Sequence, residues 1–181
     1  MMISYFDFFP ERTKSELRTA TFVDDGAANS IPVGTYLFTE YFCTDPQCNC
    51  QRVLVKVLRV ESEDTRPREV ATISYTWNES SDDVWSEVQA DMPNPFLDPF
   101  HFQASYAPEL LEFWSDMMER DANYAARIEC HYHELRAAHI SSVDEPWDSP
   151  RKAPTTTVAP TLTRQQRRAR ERALARAKRA R

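Results

Sequence analysis

Residues 35–60 read TYLFTEYFCTDPQCNCQRVLVKVLRV, and this segment carries the pattern that determines the fold. Its first part, residues 35–43, is rich in aromatic side chains, and its last part, residues 51–60, is a run of Val and Leu. Both compositions are typical of β-strands. Asp45 and Pro46 suit the first two positions of a type I turn, so we expect the two strands to pair antiparallel.

Further strands and helices are predicted on either side of this pair. Residues 17–24 and 69–77 alternate apolar and polar side chains, as strands do when one face of a sheet is buried. Residues 107–120 carry apolar side chains at helical spacing, and Asp121 can cap a further helix that ends near His139. The pattern predicts an α+β fold, with a small antiparallel sheet of about three or four strands and two or three helices packed on one face.

Composition divides the chain into three parts. Residues 1–142 hold the predicted sheet and helices, including a short helix after capping residues at 80–83, and should form one domain. Residues 143–163 are rich in Pro and Thr, which predicts a disordered linker. Residues 164–181 form a basic Arg/Ala arm with nine Lys or Arg and one acidic residue, a net charge of +8. The preceding 163 residues hold 13 basic and 27 acidic residues, a net charge of −14.

Three of the four cysteines lie within eight residues, around the Asp-Pro turn. Cys48 and Cys50 point to the same side if their backbone is extended, so their sulfurs can converge with that of Cys43. Zinc prefers four tetrahedral ligands, and structural zinc sites combine thiolates with Cys or His. The spacing C-x4-C-x-C differs from the common zinc-finger spacings, but we expect it to bind one structural zinc ion per chain that staples the domain.

The fourth ligand has to come from outside the turn, and the last predicted helix offers Cys130, His131 and His133. Only His131 is in register with Tyr124 and Leu135, which mark the apolar face of that helix. Successive helical residues are 100° apart, so His131 and His133 cannot both face one ion. We rank His131 first, then Cys130, then His133. The alternative for His131 is a core histidine with a local hydrogen bond.

On these residues the chain resembles an uncharacterised bacterial family. Its members share an aromatic strand that runs into a Cys-x-Asp-Pro-x-Cys-x-Cys turn, here within residues 36–60, and a block similar to PFLDPF…YAPELLEFW…RDANYAARIECHY, here residues 94–132. In that pattern a His-Tyr pair closes the last helix, which His131 and Tyr132 match. The resemblance covers about residues 35–140 and implies a metal-binding module without a known activity. Some relatives end in a Cys-rich zinc tail similar to that of the SecA motor protein, whereas this chain ends in an arm without cysteine.

Composition excludes several function classes. Two glycines, Gly26 and Gly34, are too few for the Gly-rich loops that bind nucleotides. No stretch approaches the about 20 apolar residues of a membrane span, and residues 1–9 lack the basic cluster of a signal peptide. We therefore expect a cytoplasmic protein, in which cysteines bind metal rather than form disulfides. No H-E-x-x-H, H-x-E…P-C-x-x-C or G-x-S-x-G motif is present, and no catalytic residue is assigned.

The basic arm is the second candidate functional element. Arg suits phosphate, and a dense run favours contact with RNA or another polyanion, with weak sequence preference because no aromatic side chain is interleaved. The arm could instead lie on the acidic body, whereas a membrane partner is not expected. The candidate side chains are Arg164, Arg167, Arg168, Arg170, Arg172, Arg176, Lys178 and Arg179.

Taken together, the motifs indicate a zinc-binding module that acts as a binding or adaptor protein. The alternative is a small metal-dependent hydrolase, in which the same thiolates leave one zinc position open for water and Glu40 or Asp45 acts as the base.

Overall fold

The computed structural model describes residues 1–23, 30–62, 65–77 and 92–144, with side chains as far as residue 140. Its strands are β1 (Met2–Ser4), β2 (Arg18–Phe22), β3 (Gly34–Cys43), β4 (Arg52–Val60), β5 (Arg68–Thr76) and β6 (Phe96–Leu97). Its helices are α1 (Tyr5–Phe8), α2 (Thr13–Glu16), α3 (Ala107–Arg120) and α4 (Ala122–Asp144), with a 3-10 turn at Pro10–Arg12 between the first two.

The strands form one antiparallel sheet in the order β1, β3, β4, β5, β6, and β2 also pairs with β3. Because β4 occupies one edge of β3, the short strand β1 and the strand β2 share the other edge. The predicted α+β class is confirmed. The described residues contain six strands rather than three or four, because β1 and β6 span only three and two residues and leave no alternating pattern.

One face of the sheet carries the core. Phe42 lies opposite Val53, which lies opposite Tyr75, and all three are buried. In the neighbouring row an acidic side chain, Glu40, lies opposite Val55. Glu40 is 0% exposed, so an ionisable group occupies the middle of an otherwise apolar face.

Helices α3 and α4 contribute the apolar side chains predicted from their periodicity. The buried residues at helical spacing are Leu110, Trp114, Met118, Tyr124, Ile128, His131 and Leu135. Trp114 Nε1 donates to the hydroxyl of Tyr124 at 3.3 Å, which ties the two helices together. Oδ1 of Asp121 accepts the backbone N–H of Asn123 and of Tyr124, each at 3.1 Å. The predicted helix cap at Asp121 is therefore confirmed.

Asp121 also pairs with Arg18 of β2. Burial would raise the pKa of this carboxyl, but the N–H of Tyr124 and the guanidinium of Arg18 hold it below its usual value. The cap of α4 thus also connects the helix to an outer strand.

Several predicted parts lie outside the described residues: the short helix after residues 80–83, most of the linker 143–163 and the arm 164–181. Helix α4 continues past the predicted end at His139 as far as Asp144. Among the described helices, none combines the length and the apolar character that crossing a bilayer requires.

Candidate metal centre

The loop between β3 and β4 folds back through a hydrogen-bonded turn. The backbone N–H of Cys48 donates to the carbonyl of Asp45 at 3.1 Å, and that of Gln47 donates to Oδ1 of Asp45 at 2.9 Å. Pro46 has a fixed φ that suits the second position of such a turn. The turn predicted at Asp45 and Pro46 is confirmed, and it returns the chain towards Cys43 at the end of β3.

This turn, residues 43–50, is called the cysteine turn below, and it brings three free thiols together. The sulfur atoms of Cys43, Cys48 and Cys50 all lie within 4.8 Å of one another, and none forms a disulfide. Cys43 and Cys50 are buried, whereas Cys48 is partly exposed. A tetrahedral zinc with Zn–S bonds of about 2.3 Å places its sulfurs about 3.8 Å apart. A small adjustment of these side chains therefore suffices to bind a metal ion, and thiolates suit Zn²⁺, Cu⁺ or iron.

The surroundings shift the thiol pKa values of Cys43 and Cys50 in opposite directions. Burial opposes ionisation of Cys43, but the backbone N–H of Asp45 and the two neighbouring thiols donate to its sulfur and hold its pKa below the usual thiol value. Burial raises the pKa of Cys50, and the sulfurs of Cys48 and Cys43 raise it further. The N–H of Cys50 in turn donates to Sγ of Cys48 at 3.4 Å. The protein alone therefore favours the thiolate of Cys43 and opposes that of Cys50.

Arg136 of α4 holds the turn from outside. Its Nη1 donates to the backbone carbonyl of Cys48 at 2.7 Å and to the hydroxyl of Tyr132 at 3.1 Å. The ring of Tyr132 packs against those of Phe42 and Trp77, with centroids 6.2 and 5.2 Å away. Burial raises the pKa of Tyr132, the charge of Arg136 opposes this, and the nearby cysteines add to it. Helix α4 therefore forms one wall of the cysteine turn.

The structure does not bring His131 to the sulfur atoms, which corrects the prediction that His131 is the fourth ligand. Its Nδ1 lies 2.6 Å from Oε2 of Glu40, and its Nε2 lies 2.9 Å from Oε2 of Glu16. The ring also stacks on that of Tyr5, with centroids 3.8 Å apart and planes 11° apart. Both ring nitrogens are engaged, so neither is available to a metal. The helical register correctly places His131 on the buried face of α4. The groups that lie opposite it on that face are the carboxylates of Glu40 and Glu16 rather than the sulfur atoms.

The remaining ligand candidates lie in different surroundings. Burial and the carboxylate of Glu134 raise the pKa of Cys130. His133 lies ring to ring with Tyr132, with centroids 5.1 Å apart, and burial and the charge of Arg136 lower its pKa. His133 therefore shares two neighbours with the cysteine turn. Within the described residues, the group of close metal-binding side chains contains the three cysteines alone.

The sequence pattern did not reveal the partners of Glu40. Glu40 lies between Phe38 and Phe42 at inward positions of β3. A buried acid on an apolar face needs a polar partner, so this position was the one feature of the sequence that indicated such a partner. That partner is His131, whereas Asp45, the other carboxylate considered as a base, holds the cysteine turn.

The nucleic-acid candidates from Arg164 to Arg179 lie outside the described residues. No protein-family model, no curated protein and no solved structure matches the chain. The resemblance to the bacterial family stays a prediction, and the proposals below rest on the chemistry of the site.

Proposed function

We propose that the protein is a binding or adaptor domain stapled by one zinc ion at Cys43, Cys48 and Cys50. The convergence of the three sulfur atoms within 4.8 Å, at a hydrogen-bonded turn in which Cys43 and Cys50 are buried, is the observation that supports this. Such an ion joins the end of β3 to the segment that leads into β4. Because the unfolded chain has no preformed site, the free energy of binding adds to the free energy of folding.

The donor set favours a structural role over a catalytic one. Three thiolates transfer so much charge to the metal that it polarises a bound water less than a zinc held by neutral His does. The nearest carboxylate along the turn, Asp45, already accepts the N–H of Gln47. A base for water activation is therefore not provided by the turn itself.

We assign the fourth zinc position to His133. It contacts Tyr132 and lies near Arg136, the two residues that face the cysteine turn from α4. The residue reaches the surface although its ring is partly desolvated, so a change of rotamer towards the sulfurs displaces no core packing.

A small metal-dependent hydrolase is the second candidate, and one observation favours it. In the described part of the chain, no fourth His, Cys, Asp or Glu joins the three sulfurs. A position filled by water is what a catalytic zinc site requires.

Metal content of the purified chain tests the site. Elemental analysis should find one zinc per chain, and replacement with Co²⁺ should give the intense near-ultraviolet absorption of cobalt–thiolate bonds. Replacing Cys43, Cys48 or Cys50 with Ser should each reduce bound metal, whereas Cys130→Ser, the matched control, should retain it. A Cys48→Ser chain that keeps its metal would contradict the proposal.

The visible spectrum of the cobalt protein separates the two functions. If His133 completes a closed tetrahedral site, added azide leaves the spectrum unchanged and His133→Ala alters it. If water fills the position, azide shifts the spectrum and His133→Ala has no effect, which favours the hydrolase.

The basic arm is proposed as the binding element of the adaptor. Its net charge of +8 over 18 residues supports contact with RNA or another polyanion, driven by release of condensed counterions. The body carries −14 and repels such a partner, so binding should depend on the arm.

A further inference from the structure

The three thiols of the cysteine turn differ in their access to solvent. Cys43 and Cys50 are 8% and 5% exposed, whereas Cys48 is only partly covered. A small oxidant therefore reaches the sulfur of Cys48 first. The N–H of Cys50 donates to this sulfur at 3.4 Å, and the N–H of Cys48 donates to the carbonyl of Asp45 at 3.1 Å. These contacts hold Cys48 in place, so an oxidised Cys48 stays beside the two buried thiols.

Cys43 is the thiol that is able to close a disulfide with Cys48. All three sulfurs lie within 4.8 Å of one another, and a disulfide bond is about 2.05 Å long. Rotation about Cα–Cβ moves a sulfur by about 3 Å between rotamers, which is enough to close the gap. Cys48 and Cys50 are separated by Asn49 alone, and so short a ring is strained. Cys43 lies across the turn, and joining it to Cys48 leaves the hydrogen bond to Asp45 intact.

We propose that Cys48 and Cys43 form a redox pair, in which a small hydroperoxide oxidises Cys48 and Cys43 then closes a reversible disulfide with it. Cys48 is the modified residue, and Cys43 is the thiol that resolves the modification. The consequence rests on the proposed function, because the disulfide removes two of the three thiolate ligands and the chain then releases its zinc. The metal staple is therefore retained only under reducing conditions.

The reaction proceeds in two steps that balance. In the zinc-bound chain both sulfurs are already thiolates, because metal ligands are deprotonated. The thiolate of Cys48 attacks the outer oxygen of the hydroperoxide, so that an S–O bond forms, the O–O bond breaks, and the alkoxide leaves and takes a proton from water. The thiolate of Cys43 then attacks the sulfur of this sulfenic acid, and hydroxide leaves with the electron pair of the S–O bond and takes up a second proton. The two sulfurs together lose two electrons, and the hydroperoxide is reduced to an alcohol and water.

The charge of the chain favours a neutral oxidant over an anionic one. Residues 1–163 carry a net charge of −14, which repels anionic disulfides such as oxidised glutathione. A hydroperoxide is small and uncharged, and it needs contact with one sulfur only. Because Cys48 is partly exposed, its disulfide is also accessible to thiol reductants, as reversible disulfides are.

Two acid-labile Asp-Pro bonds allow the disulfide to be located. Mild acid cleaves such bonds, here after Asp45 and after Asp98. The products and their cysteines are fragment 1–45 with Cys43, fragment 46–98 with Cys48 and Cys50, and fragment 99–181 with Cys130. A disulfide of Cys43 is therefore detected as a link between the first two fragments.

The test treats the full zinc-loaded chain with tert-butyl hydroperoxide, blocks the remaining thiols with N-ethylmaleimide and identifies the acid fragments by mass spectrometry. A metal-sensitive dye measures free zinc in parallel. We expect fragments 1–45 and 46–98 to be linked, with one zinc released per link, and dithiothreitol with added zinc should reverse both changes. A disulfide within fragment 46–98, or a link to fragment 99–181, would overturn the proposal.

The same experiment distinguishes this inference from the zinc site on which it rests. A chain that keeps its zinc and its three free thiols in hydroperoxide contradicts the redox pair and leaves the zinc site standing. A chain that is purified without zinc, yet links fragments 1–45 and 46–98, contradicts the zinc site and supports the disulfide.

Matched variants identify the second sulfur. Cys50→Ser should keep the link, and Cys130→Ser, the control, should change neither the link nor the release of zinc. In Cys43→Ser no resolving thiol remains across the turn, so Cys48 should persist as a sulfenic acid that dimedone labels on fragment 46–98. Tandem mass spectrometry of the linked fragments from the unchanged chain locates the bond even if a variant does not fold. A bond to Cys50, or a Cys43→Ser chain that dimedone does not label, would refute the pairing.

Discussion

Replacing Cys48 by Ser is the most direct test of whether a bound metal ion stabilises the cysteine turn. Cys48 is the partly exposed member of the three cysteines, so little packing is lost. A serine oxygen can still accept the N–H of Cys50, which Sγ of Cys48 accepts at 3.4 Å. In the metal-free protein the substitution should therefore be nearly neutral, and any large effect in the presence of zinc reports on the metal.

The expected loss of stability follows from the linkage between zinc binding and folding. A ligand that binds only the folded state stabilises it by about 4.1 kcal/mol when its free concentration is a thousandfold above the dissociation constant. Loss of one of three thiolates should raise the dissociation constant above that concentration, which removes the whole contribution. A domain of this size loses about 3–4 °C in melting temperature per kcal/mol, so Cys48→Ser should melt about 12–16 °C lower in zinc buffer.

Thermal unfolding followed by circular dichroism, in zinc buffer and in chelator, supplies the measurement. In chelator the unchanged chain and Cys48→Ser should melt together. Cys130→Ser is the matched control, because Cys130 lies on α4 outside the group of close sulfurs, and it should shift the melting temperature by no more than about 2 °C. Equal losses in both variants, or an unchanged chain indifferent to the chelator, would refute the reasoning.

Three further outcomes are expected. Deleting residues 164–181 should abolish salt-sensitive binding to single-stranded RNA in fluorescence anisotropy and leave the melting temperature unchanged; undiminished binding would place the contact elsewhere. Asp121→Ala should lower the free energy of unfolding in urea by about 1 kcal/mol at neutral pH, because it caps α4. Since its pKa is depressed in the folded state, this difference should disappear as pH falls through that pKa. Arg136→Ala should weaken zinc binding several-fold in chelator competition by freeing the carbonyl of the turn, whereas Arg120→Ala should not.

The central sheet and both long helices could be predicted because each buries one face over many residues. The strand limits expected at 35–43 and 51–60 agree with β3 and β4 to within one residue. A strand or helix of this length repeats its apolar positions several times, so its period can be recognised in the sequence alone.

The N-terminal segment, residues 1–16, shows no such pattern in its sequence. Helices α1 and α2 contain four residues each, about one turn, so they show no helical repeat. Their stability comes from tertiary contacts, such as the hydrogen bond from Tyr5 to Glu134, 129 positions away. His131 shows the same limit, because its register gave the face on which it lies but not the carboxylates that meet it.

The cysteine turn and the N-terminal strand share β3, which predicts that they are coupled. Cys43 ends β3 and pairs with Met2 of β1. A metal on Cys43 orders the strand end on which β1 pairs, and the pairing of β1 orders the strand end that supplies the thiolate. Coupling between two such events is reciprocal. Zinc should therefore slow the hydrogen exchange of residues 2–4 relative to that of α3. Zinc that leaves this exchange unchanged would show that the cysteine turn and β1 act independently.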